Sequence, residues 1–147
     1  MTTAEYRDTL AAVLREASPA AASKLAAIQR VATAGADGVL IDVFVDEDAE
    51  GTFSVWARFE GDDSFALDRL LGEERELFSV IWGEEGWEPE VPPRPSGWSR
   101  QALTDAIVGV VAAWVDPLIP VGGPDMWWEA AAPDSAAEPI AVGPQHG

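Results

Sequence analysis

Apolar residues recur with a helical period through the first 35 residues. One stripe comprises Tyr6, Leu10, Val13, Leu14 and Ala17, and the next comprises Ala21, Leu25, Ile28 and Ala32. Thr2 and Glu5 have the spacing of a capping box, which satisfies the first free amides of a helix. Ser18, followed by Pro19, is typical of a second helix start, and Gly35 is expected to cap its end. The pattern predicts two consecutive helices.

From residue 39 the period of the pattern changes from 3.6 to 2. The alternating apolar positions are Val39, Ile41, Val43 and Val45 in one run, and Phe53, Val55, Ala57 and Phe59 in the next. A short polar stretch that ends in Gly51 separates the runs, so the pattern predicts a β-hairpin. Asp42 and Arg58 lie on the mixed faces of these strands and are expected to pair across them.

The middle of the chain gives weaker signals. A short helix is expected through Leu70, capped by Ser64 and stopped by Gly72. Residues 77–82 suit either a helical turn or a strand, and the Val, Ile and aromatic content favours a third strand. Residues 83–97 contain four prolines and four glutamates. We predict an extended loop there, which connects to the last helix.

The last helix has the clearest pattern. Its apolar stripe comprises Leu103, Ile107, Val110, Val111, Trp114 and Leu118. Ser99 is a good N-cap, and Asp116-Pro117 is expected to end the helix. The sequence therefore predicts an α+β fold in the order α-α-β-β-(α)-β-α, with a small antiparallel sheet covered on one face by helices.

The segment after residue 120 is rich in Gly, Pro and Ala and has no periodicity. We therefore expect one domain over residues 1–120 and a C-terminal tail over residues 121–147. Met126, Trp127 and Trp128 are an apolar exception within that tail. They are expected either to dock on their own domain or to contact a partner, with homo-oligomerisation as one form of such contact.

The composition is consistent with a single folded domain. The chain has 147 residues, of which 48% are hydrophobic, and contains no cysteine. No apolar run approaches the roughly 18–20 residues of a membrane span, and the first residues do not resemble a signal peptide. These features favour a cytoplasmic protein without disulfides or thiolate chemistry.

Charge is distributed unevenly along the chain. The 26 acidic and 9 basic residues give a formal net charge of −17. Residues 1–36 hold 3 acids and 4 bases, which leaves 23 acids and 5 bases for residues 37–147. Such a field repels nucleic acid and anionic membranes and attracts a basic protein, a polyamine or a cation. The alternative is that the charge serves solubility alone.

Several classes of chemistry lack sequence support. The single histidine is His146, at the end of the chain, and glycine-rich nucleotide loops and zinc motifs are absent. The sequence therefore predicts no catalytic triad, cofactor or metal centre. Asp46, Asp48 and Glu50 resemble the start of a calcium loop, but Ala57 occupies the position of the required bidentate glutamate. A solvated hairpin turn is the preferred interpretation.

Residues 82–90 form the most distinctive segment, because carboxylates surround two tryptophans. We take as candidate partner-binding residues Trp82, Glu84, Glu85, Trp87, Glu88 and Glu90, together with Asp46 and Asp48. Tryptophan supplies contact area and carboxylates select a cationic partner. Two alternatives stay open. The tryptophans could be core or loop anchors beside glutamates that merely face water, or two of the glutamates could serve a glycosidase-like hydrolase.

The same segment carries a family resemblance. The run from Trp82 to Pro89, continued by Pro92-Pro93-Arg94-Pro95 and Gly97-Trp98-Ser99-Arg100, resembles an uncharacterised family of small acidic actinobacterial proteins. That resemblance implies a domain of unknown function and transfers no functional residue. In size and charge the chain is also similar to the immunity proteins of bacterial toxin systems. Taken together, these features predict a non-enzymatic binding protein, of immunity or adaptor type, for a basic partner.

Overall fold

The fold combines four α-helices with two sheets in the part of the chain that the structure describes. This computed structural model describes residues 2–48, 50–84, 86–122, 125–135 and 138–144. The helices are α1 (Thr3–Glu16), α2 (Ser18–Val31), α3 (Ser64–Leu71) and α4 (Arg100–Val115). The strands are β1 (Gly38–Val45), β2 (Phe53–Glu60), β3 (Glu76–Ser79), β4 (Ile81–Gly83), β5 (Gly86–Glu88), β6 (Trp127–Ala131) and β7 (Ile140–Val142). The predicted α+β class is confirmed.

The caps of the helices follow local chemistry, with three exceptions. The Thr2–Glu5 capping box is present, and Ser99 accepts a hydrogen bond from the amide of Ala102 at 3.0 Å. Ser18 is not an N-cap, because its hydroxyl accepts the indole N–H of Trp114 at 2.9 Å. Gly35 is not a C-cap, because α2 already ends at Val31. Ser64 is not an N-cap, because it is the first residue of α3 and Asp63 precedes it at the cap position.

The main sheet has five strands in the order β3-β2-β1-β6-β7. β1 pairs with β2 in antiparallel register, as predicted, but it pairs with β6 in parallel. The expected wholly antiparallel sheet is therefore wrong. The expectation of a tail without regular structure beyond residue 120 is also wrong for β6 and β7. Trp128 is 5% exposed, because it lies beside Val39 on the core face of β1.

The two faces of the sheet differ in burial. The apolar positions predicted for β1 and β2 are all buried, and α4 contacts β1, β6 and β7. The opposite face carries polar and aromatic side chains, including Trp56 and Arg58, and it is partly exposed. Phe44 and Trp127 on that face are 39% and 40% exposed. The core therefore lies on one side of the sheet.

Residues 76–88 form two short strand pairs. The predicted third strand is confirmed at β3, which pairs with β2. The apolar run is interrupted at Val80, and β4 pairs with β5 in a separate two-stranded sheet. The prediction of an extended loop is therefore wrong for β5. The prolines of this segment all follow β5, so the backbone of β5 is free to form hydrogen bonds with β4.

α4 is the most buried helix described, with ten buried residues that include Leu103, Ile107 and Trp114. Together with its following turn, Arg100–Leu118 is long and apolar enough by length and composition to cross a membrane. The expectation that no segment approaches that limit is wrong for this helix. A central core helix meets the same criterion, and 56% of the span is buried inside the fold.

Candidate functional site

The β4–β5 hairpin projects two tryptophans into solvent. Trp82 and Trp87 are direct cross-strand partners, and their ring centroids lie 5.0 Å apart at an interplanar angle of 75°. This edge-to-face geometry suits the quadrupoles of the two rings. Trp82 is 70% exposed and Trp87 is 43% exposed. Neither tryptophan is therefore a core residue, and the alternative that the pair anchors its own loop stays open.

A backbone contact joins the β1–β2 turn to the segment that follows the hairpin. The amide of Arg94 donates a hydrogen bond to the carbonyl oxygen of Glu50 at 2.9 Å. Gly51 lies so close that a Cβ atom there would be 2.7 Å from the carbonyl oxygen of Pro92. Its φ of +132° also requires glycine. The two acidic segments predicted from sequence are thus held next to each other.

The carboxylates of the β1–β2 turn shape the turn itself. Asp46 accepts a hydrogen bond from the hydroxyl of Thr52, and Asp48 accepts one from the amide of Glu50 at 3.1 Å. Arg100 donates to the carbonyl oxygens of Val45, Asp46 and Glu47, which lie 2.9–3.1 Å away. Within the described ranges, no three acidic or histidine side chains are grouped so that they could hold a metal ion.

A groove of about 410 Å³ lies between the β1–β2 turn and the β4–β5 hairpin. Its lining includes Glu50, Trp82, Trp87, Glu90, Val91 and Pro93. We call this the acidic groove, since two tryptophans and two carboxylates line it. A Lys or Arg side chain would find both the face of an aromatic ring and a counter-charge there.

The structure divides the candidate partner-binding residues into three groups. Trp82, Trp87 and Glu90 line the acidic groove. Glu84, Glu88, Asp46 and Asp48 are exposed around it without being part of its lining. The carboxylate of Glu88 lies over Gly83, 2.9 Å from where a Cβ atom would be. Glu85 and His146 lie outside the described residues.

The candidate partner-binding residues did not include Glu50, Val91 or Pro93, which also line the groove. Glu50 belongs to a segment that the pattern identified as a turn, but the pattern does not show which turn residue faces the hairpin. The glycosidase-like alternative requires two facing glutamates from residues 84–90, and Glu90 is the one described member of that set in the groove. The hydrolase hypothesis stays a prediction.

A second polar cluster lies on the exposed face of the main sheet. The predicted Asp42–Arg58 pair is confirmed, with Arg58 Nε 2.6 Å from Asp42 Oδ2, and Arg58 Nη1 lies 2.5 Å from Glu60 Oε1. Asp42 is 3% exposed, and its Oδ1 atom has no hydrogen-bond partner among the described residues. Burial raises the pKa of Asp42, against the opposing effect of the hydrogen bond from Arg58. This cluster joins β1 to β2 and lies outside the acidic groove.

The protein is thus of the α+β class. An exposed groove lined by two tryptophans and two carboxylates lies at one end of its mixed sheet. The chain belongs to a family of unknown function, DUF6389, whose model matches residues 1–146. No curated protein matches the chain. No solved structure matches it. The resemblance to an uncharacterised domain is thus confirmed, and the family assigns no role to any residue.

Proposed function

We propose that the protein is a non-enzymatic binding module for a basic protein partner, with a Lys or Arg side chain of that partner entering the acidic groove. The exposed Trp82–Trp87 pair beside Glu50 and Glu90 is the observation that carries the proposal. An immunity-type or adaptor role in the cytoplasm is the biological setting that this chemistry suits.

Exposed tryptophans favour a binding role on energetic grounds. A side chain as large as Trp82 leaves much apolar area in water when it is 70% exposed. Covering that area on association is favourable, and tryptophan is enriched among the residues that dominate interface energies. A cation over an indole face adds about 0.5–2 kcal/mol, depending on its desolvation.

The charge of the molecule favours a basic partner. Residues 37–147 hold 23 acids and 5 bases, and both sides of the acidic groove belong to this segment. Such a field raises the rate of encounter with a cationic protein and disfavours like-charged nucleic acid. The proposed partner is therefore a protein with a Lys- or Arg-rich surface segment.

The test is affinity capture from lysate of the native organism, followed by titration of each captured protein against variants. In the Glu50→Lys/Glu90→Lys variant the charge of the groove is reversed, and in Trp82→Ala/Trp87→Ala its aromatic faces are removed. The matched control is Glu73→Lys/Glu74→Lys, which makes the same charge change at exposed residues of a turn outside the groove. Moderate salt should weaken the interaction.

The proposal requires that both groove variants weaken binding by about tenfold or more, which corresponds to about 1.4 kcal/mol. The control variant should change affinity much less. Equal weakening by the groove and control variants would show that the net charge of the protein, and not the acidic groove, accounts for binding. Unchanged affinity in the two groove variants would disprove a role for the acidic groove.

A further inference from the structure

A second groove lies between α1 and α4, and its lining is apolar and basic rather than acidic. Its volume is about 440 Å³, which is within the range of small-molecule sites. Apolar side chains form much of its lining, among them Ala11, Val110, Trp114 and Leu118. Trp114 is held in place by the hydrogen bond from its indole N–H to Ser18. The groove thus has a preformed apolar floor.

Small residues keep this groove open. Gly109 and Ala113 of α4 line it, and Ala11 lies opposite them on α1. A Cβ atom at Gly109 would have the Arg7 guanidinium nitrogens, at 3.9 and 4.0 Å, as its neighbours within 4 Å. Arg7 therefore extends over the backbone of α4 at the rim of the groove.

Two arginines line the rim of the groove. Arg7 and Arg15 are eight residues apart on α1, or about 12 Å along its axis. Both are exposed, and neither side chain forms a hydrogen bond or an ion pair with any other residue that the structure describes. Asp8 also lines the groove, so the lining keeps an excess of one positive charge. We call this site the arginine groove.

This arrangement contrasts with the rest of the molecule. Residues 1–36 carry a net charge of +1, whereas the remainder carries −18. The excess of carboxylates over the rest of the surface already supplies the net charge that keeps a protein soluble. Solubility therefore does not explain why two arginines lie beside an apolar groove. Guanidinium groups without partners are donors for a carboxylate, which they bind through paired hydrogen bonds.

We propose that the arginine groove binds an anionic amphiphile, a long-chain carboxylate. The carboxylate contacts Arg7 or Arg15, and the hydrocarbon chain covers Ala11, Val110, Trp114 and Leu118. Each buried methylene contributes to affinity through the apolar area removed from water. This site is separate from the acidic groove and does not depend on the proposed function.

The experiment measures binding of dodecanoate, below its micelle concentration, to the full chain by isothermal titration calorimetry. Dodecanol and dodecyltrimethylammonium are the neutral and cationic probes of matched chain length. We expect saturable binding of one dodecanoate per chain, with at least about tenfold weaker binding of the other two probes. Arg7→Gln/Arg15→Gln should weaken dodecanoate binding about tenfold. Arg7→Lys/Arg15→Lys keeps the charge but loses the paired hydrogen bonds, so it should weaken binding less than the glutamine variant does.

Further variants separate the groove from the fold and from the other site. Gly109→Leu fills the floor of the arginine groove and should abolish binding, whereas Trp82→Ala should leave the dodecanoate affinity unchanged. Thermal unfolding of each variant checks that it folds. If Gly109→Leu does not fold, the test rests on the two double variants, Arg7→Gln/Arg15→Gln and Arg7→Lys/Arg15→Lys.

Three outcomes would overturn the proposal. They are equal binding of all three probes, uptake of many molecules per chain, and unchanged affinity in Arg7→Gln/Arg15→Gln. A dimer in light scattering that this variant dissociates would instead make the groove an interface between copies of the chain.

Discussion

Asp42 shows how one residue connects the sheet to the pH dependence of stability. Its carboxylate is buried on the otherwise exposed face of the sheet, with one oxygen on Arg58 and the other without a described partner. Burial raises its pKa because the charged form loses hydration that one hydrogen bond does not replace. Folding therefore favours the protonated form of this group.

Asp42→Asn should gain stability relative to wild type as the pH rises through the range in which Asp42 titrates. As pH rises above about 4, the unfolded chain releases the Asp42 proton before the folded chain does, so this group lowers the free energy of unfolding until its raised pKa is passed. The Asn side chain does not titrate, so the variant does not lose free energy of unfolding in this way. Its free energy of unfolding relative to wild type should increase over that window, by about 1.4 kcal/mol per unit of pKa shift.

Urea denaturation at closely spaced pH values measures the difference between Asp42→Asn and wild type. Below the window both side chains are neutral, so the difference there gives the effect of changed shape and hydrogen bonding alone. A difference that stays constant from that region to neutral pH would contradict the raised pKa.

At the scale of the element, β6 places two consecutive tryptophans in different environments. Trp128 is 5% exposed on the core face, and Trp127 is 40% exposed on the other face, with its ring over Gly38. Strand alternation accounts for this difference, since neighbouring side chains point to opposite faces. Trp128 docks on its own domain, and homo-oligomerisation through Trp127 stays a hypothesis.

Trp127→Ala and Trp128→Ala form a matched pair that tests this assignment. Trp128→Ala should lower the free energy of unfolding by about 3–5 kcal/mol, because it leaves a cavity in the core. Trp127→Ala should lower it less, by about 1–3 kcal/mol, because 40% of Trp127 is already exposed to water. Chemical denaturation of both variants gives the comparison, and equal losses would contradict the register of β6.

At the scale of the whole molecule, the net charge of −17 opposes compactness. Salt shortens the Debye length from about 30 Å at 0.01 M to about 10 Å at 0.1 M, so repulsion between the surface carboxylates weakens. The same screening weakens attraction to a basic partner. Stability and partner binding should therefore respond to salt in opposite directions.

We predict that raising NaCl from about 0.02 to 0.2 M increases the midpoint of thermal unfolding by about 2–5 °C, which corresponds to a gain of about 1 kcal/mol. Scanning calorimetry at several salt concentrations measures the midpoint. Glu73→Lys/Glu74→Lys makes the net charge four units less negative and should show a smaller increase. A midpoint that is independent of salt would show that repulsion does not limit stability.

The sequence by itself determined the elements whose signals are local. The stripes of α1, α2 and α4, the alternation in β1 and β2, and the capping residues Thr2 and Ser99 depend on neighbours within a few positions, so periodicity and capping chemistry identify them. The α+β class and the Asp42–Arg58 pair follow from those elements. The short hairpin at Trp82 and Trp87 had no such signal, because prolines and glutamates surround it.

The tertiary structure alone decided the position of β6 and the two grooves. β6 pairs with β1 across about 90 residues, and a five-residue strand rich in alanine carries no local sign of its partner. Each groove needs two segments that are distant in the chain, the β1–β2 turn with the β4–β5 hairpin, and α1 with α4. Each groove exists only because packing of the core brings these distant segments together. The pattern of residues along the chain does not show which segments become neighbours.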